Sequence, residues 1–137
     1  MREIGHFVGG ENVAGTSGRT ADVLQPMDGT VQGKVSLASA AEVRAVVENA
    51  KAAQPAWAAM NPQKRARVLM KFLDLVHNEY DELAELLARE HGKTIPDARG
   101  DIQRGLEVVE FCIGAPHLMK GEFTDGAGPG IDVYSLR

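Results

Sequence analysis

Glu90-His91-Gly92-Lys93-Thr94-Ile95-Pro96-Asp97-Ala98-Arg99-Gly100-Asp101-Ile102-Gln103-Arg104-Gly105 is the stretch on which the reading of the chain turns. Gly92 is suited to end a helix, because it takes the left-handed conformation without a Cβ penalty and lets the last carbonyls be capped. Pro96 suits a first helical turn, where its missing N–H is not needed, and Asp97 places negative charge at the positive end of the helix. The stretch therefore predicts a helix, a tight turn and a second helix. That second helix is expected to run from Pro96 to about Met119, bent or broken near Gly114 and Pro116.

Working outward toward the N-terminus, helices continue back to Ser39. Ser39-Ala40-Ala41-Glu42 has the spacing of a capping box, and Val43, Val46, Val47 and Ala50 form an apolar stripe behind it. Pro55 is expected to end that helix, leaving Ala56 to Met60 as a short bridging turn. Asn61-Pro62 then reads as an N-cap followed by proline, opening a helix with Val68, Leu69, Phe72, Leu73 and Val76 on one face. Asp81 starts or restarts a helix carrying Leu83, Leu86 and Leu87. Residues 4–37 read instead as strands and turns: short apolar pairs separated by Gly9-Gly10 and by Ala14 to Thr20, an Asp28-Gly29 turn, and weak alternation at Val31, Gly33 and Val35. A β hairpin or meander is expected there. Beyond the helices, Thr124 to Gly130 reads as a glycine-rich loop and Ile131 to Leu136 as a strand in need of a partner.

The chain has 137 residues, 44% of them hydrophobic and 25% charged, with a formal net charge of -4. This is the composition of a soluble globular domain, and it offers no electrostatic case for nucleic acid or an anionic membrane. The basic run Lys64-Arg65-Ala66-Arg67 reads as a solvated helix face. A single cysteine excludes an internal disulfide framework, and no stretch approaches the roughly 20 apolar residues of a membrane span. A cytoplasmic protein without nucleic-acid or membrane partners is the expectation.

Few residues invite a chemical role. Gly126-Ala127-Gly128-Pro129-Gly130 lacks the strand-then-helix context of a dinucleotide loop. Cys112 has no base at helical spacing and reads as a packed thiol. His6, His77, His91 and His117 show no ligand spacing, so no metal site is expected. Arg104 stands apart. Ile102, Leu106, Val109 and Ile113 share one face of the last helix, and at about 100° per residue Arg104 lies nearly opposite, with Val108 and Phe111 beside it. A planar guanidinium next to two apolar side chains suits a carboxylate, which it can bind through two hydrogen bonds. The plainer reading is an intrahelical pair with Asp101 or Glu107.

The ordered set Phe7-Val8-Gly9-Gly10-Glu11, Pro55-Ala56-Trp57, Glu90-His91-Gly92-Lys93-Thr94 and Gly100-Asp101-Ile102-Gln103-Arg104-Gly105 resembles the N-terminal part of the aldehyde dehydrogenase superfamily. Asp101 to Gly105 followed by Val109-Glu110-Phe111 is similar to its CoA-acylating methylmalonate-semialdehyde branch. The resemblance implies an α/β fold: a β hairpin or meander, then a mainly helical region, then a terminal strand. Residues 1–130, with strands over 4–37 and helices over 39–120, would be the N-terminal part of an NAD-binding domain. Residues 131–137 would be the truncated first strand of an oligomerisation hairpin.

The same resemblance implies that a longer parent protein, a homodimer or homotetramer, uses NAD and CoA to oxidise methylmalonate or malonate semialdehyde in valine, pyrimidine or inositol catabolism. The family's nucleophile, general base and cofactor-binding strands match nothing here. No residue is thus assigned to catalysis, to a cofactor or to a metal, and the 137 residues alone are expected to be inactive, and to aggregate or be marginally stable. Arg104 alone is carried over, as the arginine that binds the substrate carboxylate. A non-acylating aldehyde dehydrogenase and a complete small non-enzymatic α/β binding or regulatory module are the competing expectations.

Overall fold

The computed structural model describes residues 1–137. In chain order the elements are strands β1 (Arg2–Ile4), β2 (His6–Val8), β3 (Glu11–Val13), β4 (Thr20–Leu24) and β5 (Val31–Ser36). Helices α1 (Ala40–Ala59), α2 (Pro62–Asn78), α3 (Tyr80–His91), α4 (Ile95–Ile113) and α5 (Ala115–Leu118) follow, and strands β6 (Phe123–Gly128) and β7 (Ile131–Tyr134) complete the chain. The α/β class and the order of strands, helices and strand are as the sequence predicts. The chain divides into two compact units, Met1–Met60 with Asp81–Arg99, and Asn61–Tyr80 with Gly100–Arg137.

In the first unit, β4 and β5 pair antiparallel around the Asp28-Gly29 turn, where Asp28 accepts from the Thr30 amide at 2.9 Å and hydroxyl at 2.7 Å. β2 and β3 form a second antiparallel pair across Gly9-Gly10. The meander is incomplete, because β1 pairs parallel to β5, with Arg2 opposite Gly33. No short-range pattern announces that pairing. The Ser39–Glu42 capping box is formed on both sides, and Asn61 at the head of α2 in the second unit accepts from Gln63 N at 2.9 Å.

Helix α1 does not stop at Pro55 but continues to Ala59. Proline removes one N–H and crowds the carbonyl four residues earlier; here the good helix formers around it carry the helix through. Its stripe also stays open, with Val43 51%, Val46 39% and Val47 56% exposed.

Gly92 ends α3 with φ +77°, and its N–H donates to Ala88 O at 2.8 Å. A Cβ there would lie 3.2 Å from Pro26 Cγ and 3.3 Å from Met27 Sδ. Gly92→Ala is expected to cost about 1–2 kcal/mol from the left-handed backbone alone. Gly100→Ala, in open space inside α4, is expected to gain about 0.5–1 kcal/mol. Urea midpoints of the two variants check the opposite signs.

In the second unit the expected stripe of α2 splits. Ala66 is buried and Leu69, Leu73 and Val76 are half-buried, whereas Val68 and Phe72 are each 50% exposed. The terminal strand also departs from expectation. β7 is the second strand of a hairpin, and its partner β6 occupies most of the stretch that reads as a glycine-rich loop. Ser135 N donates to Glu122 O at 2.8 Å, and Gly126 N to Asp132 Oδ1 at 2.9 Å. Backbone pairing carries this strand where side chains give little propensity.

Candidate functional site

The turn after Gly92 sets the start of α4. Thr94 O accepts from Ala98 N at 3.0 Å, and Thr94 Oγ1 accepts from Asp97 N at 3.3 Å while donating to Asp97 Oδ2 at 2.8 Å. Thr94 is thus the residue that anchors this helix start, alongside Pro96 and Asp97. From there α4 runs to Ile113 without a break.

Leu106 is 2% exposed, and Ile102, Val109 and Ile113 are half-buried on the same face. The opposite face carries Arg104, Val108 and Phe111, the last two 63% and 71% exposed. The Arg104 side chain is 76% exposed, and its Nη1 donates to Asp101 Oδ1 at 3.3 Å. The intrahelical pair is therefore present, while Glu107 accepts instead from Gln103 Nε2 at 3.3 Å. An exposed i,i+3 pair is worth only about 0.2–0.5 kcal/mol. The helix thus offers an exposed guanidinium on the same face as the exposed Val108 and Phe111.

Other residues weighed from the sequence are scattered. His6 lies in β2, His77 in α2, His91 at the end of α3 and His117 in α5. The structure gathers no group of three or more His, Cys, Asp or Glu able to hold a metal ion. Cys112 is exposed, not packed, because it falls off the Leu106 face. No helix is long and apolar enough to cross a membrane.

The model of the aldehyde dehydrogenase family matches residues 13–137. The chain belongs to that family. It is 41% identical over 135 residues to the malonate-semialdehyde dehydrogenase of Pseudomonas aeruginosa, covering 98% of this chain and 27% of that protein. It is 39% identical over 134 residues to the acylating mitochondrial methylmalonate-semialdehyde dehydrogenase of Arabidopsis thaliana, covering 98% and 22%. Among solved structures it is similar to a Sinorhizobium meliloti 1021 protein crystallised with NAD and described as a methylmalonate-semialdehyde dehydrogenase. There the TM-score is 0.89 and the identity 65%, over 100% of this chain and 28% of that one. The chain spans roughly a quarter of the length of these aldehyde dehydrogenases.

The sequence also left one member of a polar cluster unseen. Glu42, visible as a capping residue, accepts in addition from Thr16 N at 2.6 Å and Thr16 Oγ1 at 2.8 Å. The Ser39 amide, the Thr16 amide and their hydroxyls bring its carboxyl from the ordinary 4.5 down to about 2. Because the folded value is depressed, this contribution to stability is complete above about pH 4.5 and is lost as pH falls toward 2. Asp28 is lowered by the Thr30 amide and hydroxyl and acts in the same direction. Thermal midpoints measured from pH 5 to pH 2 are expected to fall less steeply in Glu42→Gln than in the wild type.

Proposed function

We propose that the chain is the N-terminal part of an NAD-dependent, CoA-acylating dehydrogenase that oxidises methylmalonate or malonate semialdehyde to propionyl-CoA or acetyl-CoA with loss of CO2. The observation that carries this reading is Arg104: a cation on an exposed face beside Val108 and Phe111, in a chain whose relatives bear semialdehyde dehydrogenase names. A substrate with an aldehyde at one end and a carboxylate at the other must have its charge neutralised and its aldehyde aimed. Arg104 does the first and thereby fixes the second.

Residues up to the end of the helices, about residue 120, belong to the N-terminal part of the NAD-binding domain; because β6 pairs with β7, the β6–β7 hairpin rather than residues 131–137 alone is the element through which the parent assembles as a homodimer or homotetramer. The parent works in the cytoplasm, in valine, pyrimidine or inositol catabolism. NAD would supply the hydride acceptor, and CoA would supply the thiol that takes the acyl group from a cysteine thioester, releasing the cysteine thiolate. No residue of this chain is assigned to either cofactor, to the nucleophile or to the general base. The 137 residues bind and orient; they do not oxidise.

Assay of the full-length protein with methylmalonate semialdehyde, NAD and CoA tests the reading. NADH formation that requires CoA and yields propionyl-CoA by mass spectrometry is expected, and none is expected from the 137 residues alone. CoA-independent turnover to a free acid would overturn the acylating assignment. Turnover by the 137 residues alone would overturn their inactivity.

A further inference from the structure

Residues 14–19 cross the junction between β5 and α1, and they are tied down by more than the bonds to Glu42. Ser17 Oγ donates to Leu37 O, Arg19 Nη2 donates to Ala38 O at 2.9 Å, and Leu37 N donates to Arg19 O at 2.9 Å. Arg19 N in turn donates to Ser17 Oγ at 3.0 Å. Glu42 stands at one end of this set, with one carboxylate oxygen on Ser39 N at 2.7 Å and the other on both donors of Thr16. A single carboxylate thus joins the start of α1 to a loop 26 residues earlier.

Beneath the loop lies an unusual neighbour. His6 Nε2 is buried and has no hydrogen-bond partner. It stands 3.2 Å from the position a Gly15 Cβ would occupy, and Ser36 Oγ stands 3.0 Å from the same point. His6, Ala14 and Ser36 line the same cleft. A buried polar nitrogen without a protein partner is costly unless water reaches it, and the loop lies between this one and solvent at Gly15.

We propose that residues 14–19 form a strap over the His6 imidazole, fastened by the Glu42 carboxylate, and that it opens as one unit while the β4–β5 ladder stays paired. Local openings of this kind are set by their own free energy rather than by global unfolding. The Thr16, Arg19 and Leu37 amides are then protected together. Losing Glu42 exposes all three, although it touches only the first.

Amide hydrogen exchange read residue by residue on the full-length protein tests this, with Glu42→Ala and Thr16→Ala compared with wild type. Thr16→Ala leaves Ser39 and Glu42 as they are, so the start of α1 keeps its capping box. In Glu42→Ala, Arg19 N and Leu37 N are expected to exchange about tenfold faster or more, and in Thr16→Ala severalfold faster, with the β4–β5 ladder unchanged in both. In Glu42→Ala, diethyl pyrocarbonate is expected to modify His6 faster relative to His117 within the same sample. Acceleration confined to Thr16 and Ser39, equal acceleration of the ladder, or an unchanged His6 to His117 ratio would each overturn the strap.

Discussion

Replacing Arg104 by alanine in the full-length protein is expected to raise KM for methylmalonate semialdehyde about tenfold to a hundredfold, with a much smaller effect on propionaldehyde. The two aldehydes differ by the carboxylate, so their ratio isolates its recognition. A charge-assisted hydrogen bond is worth about 1.5–3 kcal/mol, and about 1.4 kcal/mol is tenfold in affinity. Arg104→Lys keeps the charge but loses the planar fork and should fall between the two. Steady-state kinetics on both aldehydes decide it. Equal losses on propionaldehyde and on the semialdehyde would show that Arg104 supports the fold of the helix and does not read the carboxylate.

The second large effect is on stability. Leu106, at 2% exposure, is the largest fully buried side chain. Leu106→Ala is expected to cost about 2–5 kcal/mol, the transfer free energy of the lost carbons plus the cavity they leave. The other buried apolar residues are the alanines Ala66, Ala84 and Ala98, which offer little to compensate. Against a total of about 5–15 kcal/mol for an ordinary domain this is a large fraction. Val108→Ala, two residues away on the open face, should stay within about 0.5 kcal/mol. Urea denaturation of both variants measures the contrast between the two faces of α4.

Within each unit a helix keeps an open apolar face: the Val43, Val46 and Val47 stripe of α1 and the Val68 and Phe72 side of α2. In the full-length protein such faces are available for burial.

Where the sequence spoke in short spacings, the fold was legible. The Ser39–Glu42 box, the Asn61-Pro62 start and the Gly92 stop each involve residues within a few positions of one another, and each stands as read. What stayed hidden depends on distant partners or on backbone alone. The parallel pairing of β1 with β5 leaves no local pattern, β6 hides in glycines that lower strand propensity, and Thr16 reaches Glu42 across two strands. Pro55 misled because its cost is real but smaller than the gain from the surrounding helix. The two-faced character of α4 followed from helical periodicity, but the full exposure of the face that carries Arg104 did not. Nor did the carboxylate-binding role of Arg104; that rests on resemblance and awaits the kinetics above.

The β6–β7 hairpin has a consequence in time as well as in space. Its strands are joined by Pro129 and Gly130 alone, so every partner it needs lies within a dozen or so positions. Such hairpins form in about 1–10 μs, whereas a ribosome adds about 5–20 residues per second. Arg2, by contrast, must wait seconds for Gly33 to be synthesised before the parallel ladder can close. β6 and β7 therefore pair almost as soon as both have emerged, well before a pairing of long sequence separation has had the same chance.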